Sequence, residues 1–113
     1  MIKDYKLQKH QFIKIETTSN KKKILEKIGQ ALITKKLSPC VYIKENISTQ
    51  YLWKDEIATD IEHKLTVKTV VENTKTIQKI IKKMHNYKIC YISSQKIKIN
   101  NSDYKKWFLN VLQ

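Results

Sequence analysis

The side chains able to do chemistry are few and dispersed along this 113-residue chain. The three histidines, His10, His63 and His85, lie too far apart in sequence to form a local metal motif. Cys40 and Cys90 each sit in a strand-like run instead of a CxxC or Cys/His cluster, which reads as two reduced, buried thiols. One glycine is too few for a glycine-rich phosphate loop. No nucleophile stands beside a base, so catalysis is not expected. What remains is contact chemistry. Tyr51 and Trp53 suit the anchoring of a partner surface.

Charge is the most conspicuous bulk property. The net charge is +13, carried by 23 lysines and no arginine, in a chain also rich in isoleucine and asparagine. A protein selected to read bases or clamp phosphates would be expected to retain arginine, whose guanidinium is bidentate. The charge is therefore read as compositional drift, and a nucleic-acid partner is not expected. No apolar run approaches the ~18 residues needed to span a bilayer. The opening residues lack the apolar core of a secretory signal, so the expected location is cytoplasmic.

One stretch organises the rest. In residues 41–53, Val41, Ile43, Ile47, Thr49, Tyr51 and Trp53 alternate with polar neighbours, and Ile57, Thr59, Ile61, His63, Leu65, Val67 and Thr69 do so on the way back. Lys54-Asp55-Glu56 is the turn between them, with Asp55 suited to a left-handed conformation. Arms of ~14 residues at about 3.3 Å each reach roughly 45 Å. A folded domain of this length has a radius of gyration near ~13 Å. The hairpin must overshoot its own domain, and Tyr51, Trp53, Ile57 and Ile61 on its apolar face then need a partner copy. Self-association follows from that mismatch.

The flanking elements are shorter. Residues 1–9 read as a loose leader, and 11–18 as a strand holding Phe12, Ile13 and Ile15. Ser19 or Asn20 is placed to cap a helix through Leu37, with Ile24, Leu25, Ile28, Ala31 and Leu32 on one face and Gly29 allowing close approach to a sheet. Pro39 stops it. Asn73 or Thr74 caps a second helix, where Ile77, Ile80, Ile81 and Met84 form a buried stripe and His85 complements the dipole at the end. Residues 88–99 read as a fourth strand interrupted by the polar Ser93-Ser94-Gln95-Lys96. A last helix, capped from Asn101-Ser102-Asp103, turns Tyr104, Trp107, Phe108, Val111 and Leu112 inward. The order β-α-β-β-α-β plus a helix predicts one α+β domain over 1–113, a ferredoxin-like antiparallel sheet with helices on one face. Base-stacking relatives of that fold are disfavoured, because the third strand has neither aromatic nor glycine.

Several strings, in order, carry a family resemblance. They are Leu37-Ser38-Pro39-Cys40-Val41, Tyr51-Leu52-Trp53-Lys54, Val67-Lys68-Thr69, His85-Asn86-Tyr87 and Asp103-Tyr104-Lys105-Lys106-Trp107. Together they resemble the divalent-cation tolerance (CutA) family from about residue 11 to 112. The resemblance implies a homotrimer with hairpins pairing across subunit boundaries and a role in tolerance of copper and other divalent metals. It also implies an inter-subunit cleft lined by Lys68, Tyr87, Trp53 and His85.

Departures from the family strings bear on the ligand. The usual glycine after the hairpin tryptophan is Asp55, and the His-Pro-Tyr-x-x-Pro-Glu segment has lost both prolines and its glutamate. By resemblance, copper would call on a thiol at the position of Thr17 and on histidines at the positions of Met84 and His85. A Met84–His85 pair suits Cu(I) better than Cu(II). The alternatives are a small-anion sensor like the PII-type trimers, using Lys68, and a nonspecific nucleic-acid binder using the lysine surface.

Overall fold

The computed structural model describes residues 10–112, so the leader expected over 1–9 lies outside them. The described chain forms four strands and three α-helices. In order these are β1 (Phe12–Ser19), α1 (Lys22–Thr34), β2 (Cys40–Trp53), β3 (Glu56–Val70), α2 (Thr74–Met84), β4 (Ile92–Ile97) and α3 (Ser102–Val111), with a 3₁₀ turn at Val71–Asn73. The sheet order is β2-β3-β1-β4, and every neighbouring pair is antiparallel. This is the ferredoxin-like α+β arrangement that the element order predicts.

Side-chain alternation sorts the sheet into two faces. Ile13 and Ile15 of β1 and Leu65 and Val67 of β3 point to one face, where they meet Leu25, Ile28 and Leu32 of α1 and Ile77 and Ile81 of α2. Gly29 is used there for proximity: a Cβ on it would stand 3.0 Å from Val41 Cγ2. The terminal helix goes to the other face. Phe108 and Leu112 of α3 pack on Phe12 and Val70, with the Phe12 and Phe108 rings edge to face at 5.4 Å. Trp107, expected inside, is 45% exposed, since the ten-residue helix presents only one narrow stripe to the sheet.

Several boundaries move for identifiable reasons. The first helix ends at Thr34, not Leu37, because Lys36 turns left-handed (φ 59). Its N–H then bonds the Ile33 carbonyl and that of Leu37 bonds the Leu32 carbonyl, a helix stop usually built on glycine. Ser19 and Asn20 do not cap α1; Lys21 holds that position without a side-chain bond. Asn73 holds the N-cap position of α2 but makes no side-chain cap bond; its amide donates instead to the Leu37 carbonyl and Thr69 Oγ1. Asn101 does cap α3, accepting from Tyr104 N at 2.9 Å. In the fourth strand, the polar residues expected to interrupt it form β4 itself. An edge strand paired only to β1 tolerates Ser93, Ser94, Gln95 and Lys96.

The hairpin carries the largest correction. Its turn is the two residues Lys54 and Asp55, both at positive φ (50 and 65), which match the twist of the flanking strands. Between Lys44 and Ile47 the pairing slips by one residue: Lys44 faces Lys64, but Ile47 faces Glu62. An extra residue in a period-2 chain inverts every side chain beyond it. Body-side Val41 and Ile43 therefore join the helix face, whereas Ile47, Tyr51 and Trp53 lie on the opposite one. Leu52, Ile57 and Ile61 continue the helix-side face, as their pairings require. The single apolar strip expected through Tyr51, Trp53, Ile57 and Ile61 is thus two strips on two faces.

Gly29 gives a direct check of the helix–sheet contact. Gly29→Val drives two methyl groups toward Val41 and should destabilise the chain by about 1–3 kcal/mol in urea unfolding, as overpacking does. A variant as stable as the parent would show that this approach is loose.

Candidate functional site

The polar residues collect where β1 ends. His85, Asn86 and Tyr87 follow α2 and close over Thr18, Ser19 and Asn20. His85 Nε2 lies 2.9 Å from the Thr18 carbonyl oxygen, and its Nδ1 lies 3.0 Å from Tyr87 N. A carbonyl only accepts and a backbone N–H only donates, so Nε2 carries the proton and Nδ1 is the acceptor. Asn86 Oδ1 accepts from Ser19 Oγ at 2.6 Å, and its Nδ2 donates to Asn20 Oδ1 at 3.0 Å. The Tyr87 hydroxyl accepts from Asn20 N at 2.9 Å and donates to Glu62 Oε2 at 2.8 Å. The 85–87 loop is thereby tied to β1, to the β1–α1 loop and to β3.

These contacts set the protonation states. Burial lowers the His85 pKa below its ordinary 6.5, against smaller opposing effects of the Thr18 bond and the Glu62 charge. Burial, followed by the bond to Glu62, pushes the Tyr87 phenol up to about 12. Both groups are thus held neutral at pH 7.

The expected metal donors do not fit a metal within one chain. Both ring nitrogens of His85 are engaged, and Met84 packs against the main core. Thr17 is fully buried, and its hydroxyl meets no hydrogen-bond partner among the described residues. Among those residues no group of three or more His, Cys, Asp or Glu gathers around a common point.

Of the four residues expected in a cleft, one chain joins only His85 and Tyr87, whose rings lie 5.0 Å apart. Trp53 stands at the tip of the hairpin, 59% exposed. Lys68 is at the far end of β3, paired with Lys14 on one side and Cys40 on the other. Its ammonium sits 5.9 Å from the Tyr42 ring and 5.6 Å from the Tyr104 ring, and it forms no ion pair among the described residues. Nearby Lys14 and Lys64 already share Glu16, at 3.8 and 3.6 Å. Sequence reasoning missed Glu62, Ser19 and Asn20. The last two match helix caps by residue type, and nothing local marks a strand glutamate as the partner of a tyrosine 25 positions away.

An arm-bearing ferredoxin-like domain, with a polar clasp at the root of the arm and a tyrosine-flanked lysine, defines the class. The family model for the CutA1 divalent ion tolerance protein matches residues 13–111, and the chain belongs to that family. A CutA homolog of Xenopus laevis is 29% identical over 84 residues, covering 74% of this chain and 56% of that protein. The divalent-cation tolerance protein CutA of Thermus thermophilus is 28% identical over 80 residues, covering 71% and 78%. This chain spans about half the length of the vertebrate relatives it matches. Among solved structures, CutA1 of Oryza sativa superposes with a TM-score of 0.84 at 27% identity, covering 89% of this chain and 93% of that one. A periplasmic divalent cation tolerance protein CutA from Archaeoglobus fulgidus gives 0.83 at 27%, covering 93% and 100%. No helix among the described residues is long and apolar enough to cross a membrane.

The clasp makes a signed prediction. A histidine whose folded pKa is depressed contributes stability that is present above its unfolded value of 6.5 and is lost as pH falls from there toward the folded value. Unfolding free energy should decline below pH 6.5, and His85→Gln should remove that part of the decline. Tyr87→Phe, which strips a donor from Glu62 and an acceptor from Asn20, should cost about 1 kcal/mol at pH 7. Equal pH profiles for His85→Gln and the parent would contradict the clasp.

Proposed function

We propose that this chain serves divalent-cation tolerance as a non-catalytic, cytoplasmic homotrimer whose inter-subunit clefts take a small ligand. The observation that carries the reading is the arm. It projects from the body with Tyr51, Leu52, Trp53, Ile57 and Ile61 between 45% and 76% exposed, an apolar area that a monomer would leave in water. Charge favours a second copy as what covers it. Residues 45–63 hold Glu45, Asp55, Glu56, Asp60 and Glu62, five of the ten carboxylates, against Lys54 alone. The rest of each chain is strongly lysine-rich, so an acidic arm meets a basic body. The tolerance role comes from the family and from relatives described by that name.

Within such a trimer, Lys68 favours a small anion over a resident metal. It is the cation flanked by two tyrosine rings, whereas His85 and Met84 are committed to the clasp and the core. A copper site would need donors from more than one copy and the release of a His85 hydrogen bond. Calorimetric titration with inorganic pyrophosphate tests the preference, beside native mass spectrometry with Cu(I), Cu(II) and Zn(II). Pyrophosphate binding should weaken about tenfold in Lys68→Gln, the usual loss of one charged hydrogen bond. Stoichiometric metal uptake abolished by His85→Ala would establish the direct-metal reading in its place.

A further inference from the structure

The bulge that inverts the arm sits at one particular place. Ser19, the last residue of β1, pairs with His63 of β3, and beyond His63 the hairpin has no third strand beneath it. Opposite His63, the extra residue in β2 falls at Glu45–Asn46, and Asn46 takes a left-handed φ of 61. Its backbone N–H is freed from the regular ladder there, and it is received by His63 Nδ1 at 3.2 Å. A side chain thus replaces the missing strand bond where body becomes arm.

That replacement works in one protonation state. The Nδ1 atom accepts only with its lone pair free; once protonated it becomes a donor facing another donor. We propose that His63 is a pH-responsive pin at the root of the arm: neutral, it holds the bulge and the two-faced apolar pattern beyond it; protonated, it releases Asn46 and loosens the arm. Imidazole is the side chain whose charge changes between about pH 5 and 8.

The charged groups nearest His63 are held by other partners. Glu45, the carboxylate at the bulge, is bridged to Lys22 of α1 at 3.2 Å. Glu62 and Lys64, its neighbours on β3, alternate to the opposite face together with Lys44, where Glu62 is bound by Tyr87 and Lys64 by Glu16. On β1, Ser19 is uncharged and bound to Asn86, and the Thr18 carbonyl accepts from His85 Nε2, whose own protonation burial pushes to lower pH. The consequence for assembly rests on the trimer reading above; the pin itself does not.

Nitrogen-edited NMR of the full chain between pH 7.5 and 5.5 tests the pin, following the His63 ring and the Asn46 amide together. The two should titrate as one, and the exchange protection of Asn46 should fall about fivefold or more on protonation, as loss of one hydrogen bond implies. In His63→Asn, whose Oδ1 takes the Nδ1 place without titrating, the protection should persist through the range. Trimer dissociation, followed by sedimentation at both pH values, should rise about fivefold in the parent and stay flat in the variant. An Asn46 amide that ignores a titrating His63 ring overturns the proposal, as does the same profile in His63→Asn. A parent monomeric at both pH values would sink the trimer reading, while the Asn46 titration would still decide the pin.

Discussion

The constraint on which the rest depends is that two strands outrun the third. β2 and β3 are 14 and 15 residues long, yet β1 supports β3 only from His63 to Val70. The result is a particle of 52 × 25 × 20 Å, with a radius of gyration of 15.5 Å against the ~13 Å of a compact chain of similar length. An isolated two-stranded ribbon is marginal in water. Whatever stabilises the outer half must come from its own turn, from its root, or from another molecule.

The turn and the root are both built for this. Lys54 and Asp55 form the tight two-residue connection that keeps the strands in twist, although neither is the glycine best suited to positive φ. At the root, the bulge turns the ribbon over, so that neither side of the arm is wholly polar. The clasp of His85, Asn86 and Tyr87 fixes the β1–α1 loop beside that root, with Tyr87 reaching Glu62 one residue from His63. Burial keeps His85 and Tyr87 themselves neutral, and Tyr87 donates to the Glu62 carboxylate.

The fold was legible in the sequence wherever a period ran unbroken. The Ile77, Ile80, Ile81, Met84 stripe and the Val67, Leu65 alternation point to core: Ile77, Ile81, Leu65 and Val67 are buried in it, and Ile80 and Met84 pack half-buried against it. The hairpin's existence and reach were equally plain. Its facing was not, because the bulge is marked only by Glu45 falling where Val41, Ile43 and Ile47 call for an apolar residue. The candidate site was half legible. His85 and Tyr87 stand out by type, but their commitments to Thr18, Asn20 and Glu62 are made across at least 25 positions of sequence. Local reading assigns Ser19 and Asn20 to a helix cap, the commonest use of those residues, and tertiary contact overrides it.

The central claim is that the arm is completed by other copies of the chain, and sedimentation equilibrium at micromolar concentration and neutral pH tests it most directly. The account predicts a single species of three times the 13.5 kDa chain mass, stable to dilution. A chain that sediments as a monomer, with the arm and its exposed Trp53 and Ile57 in water, would contradict it.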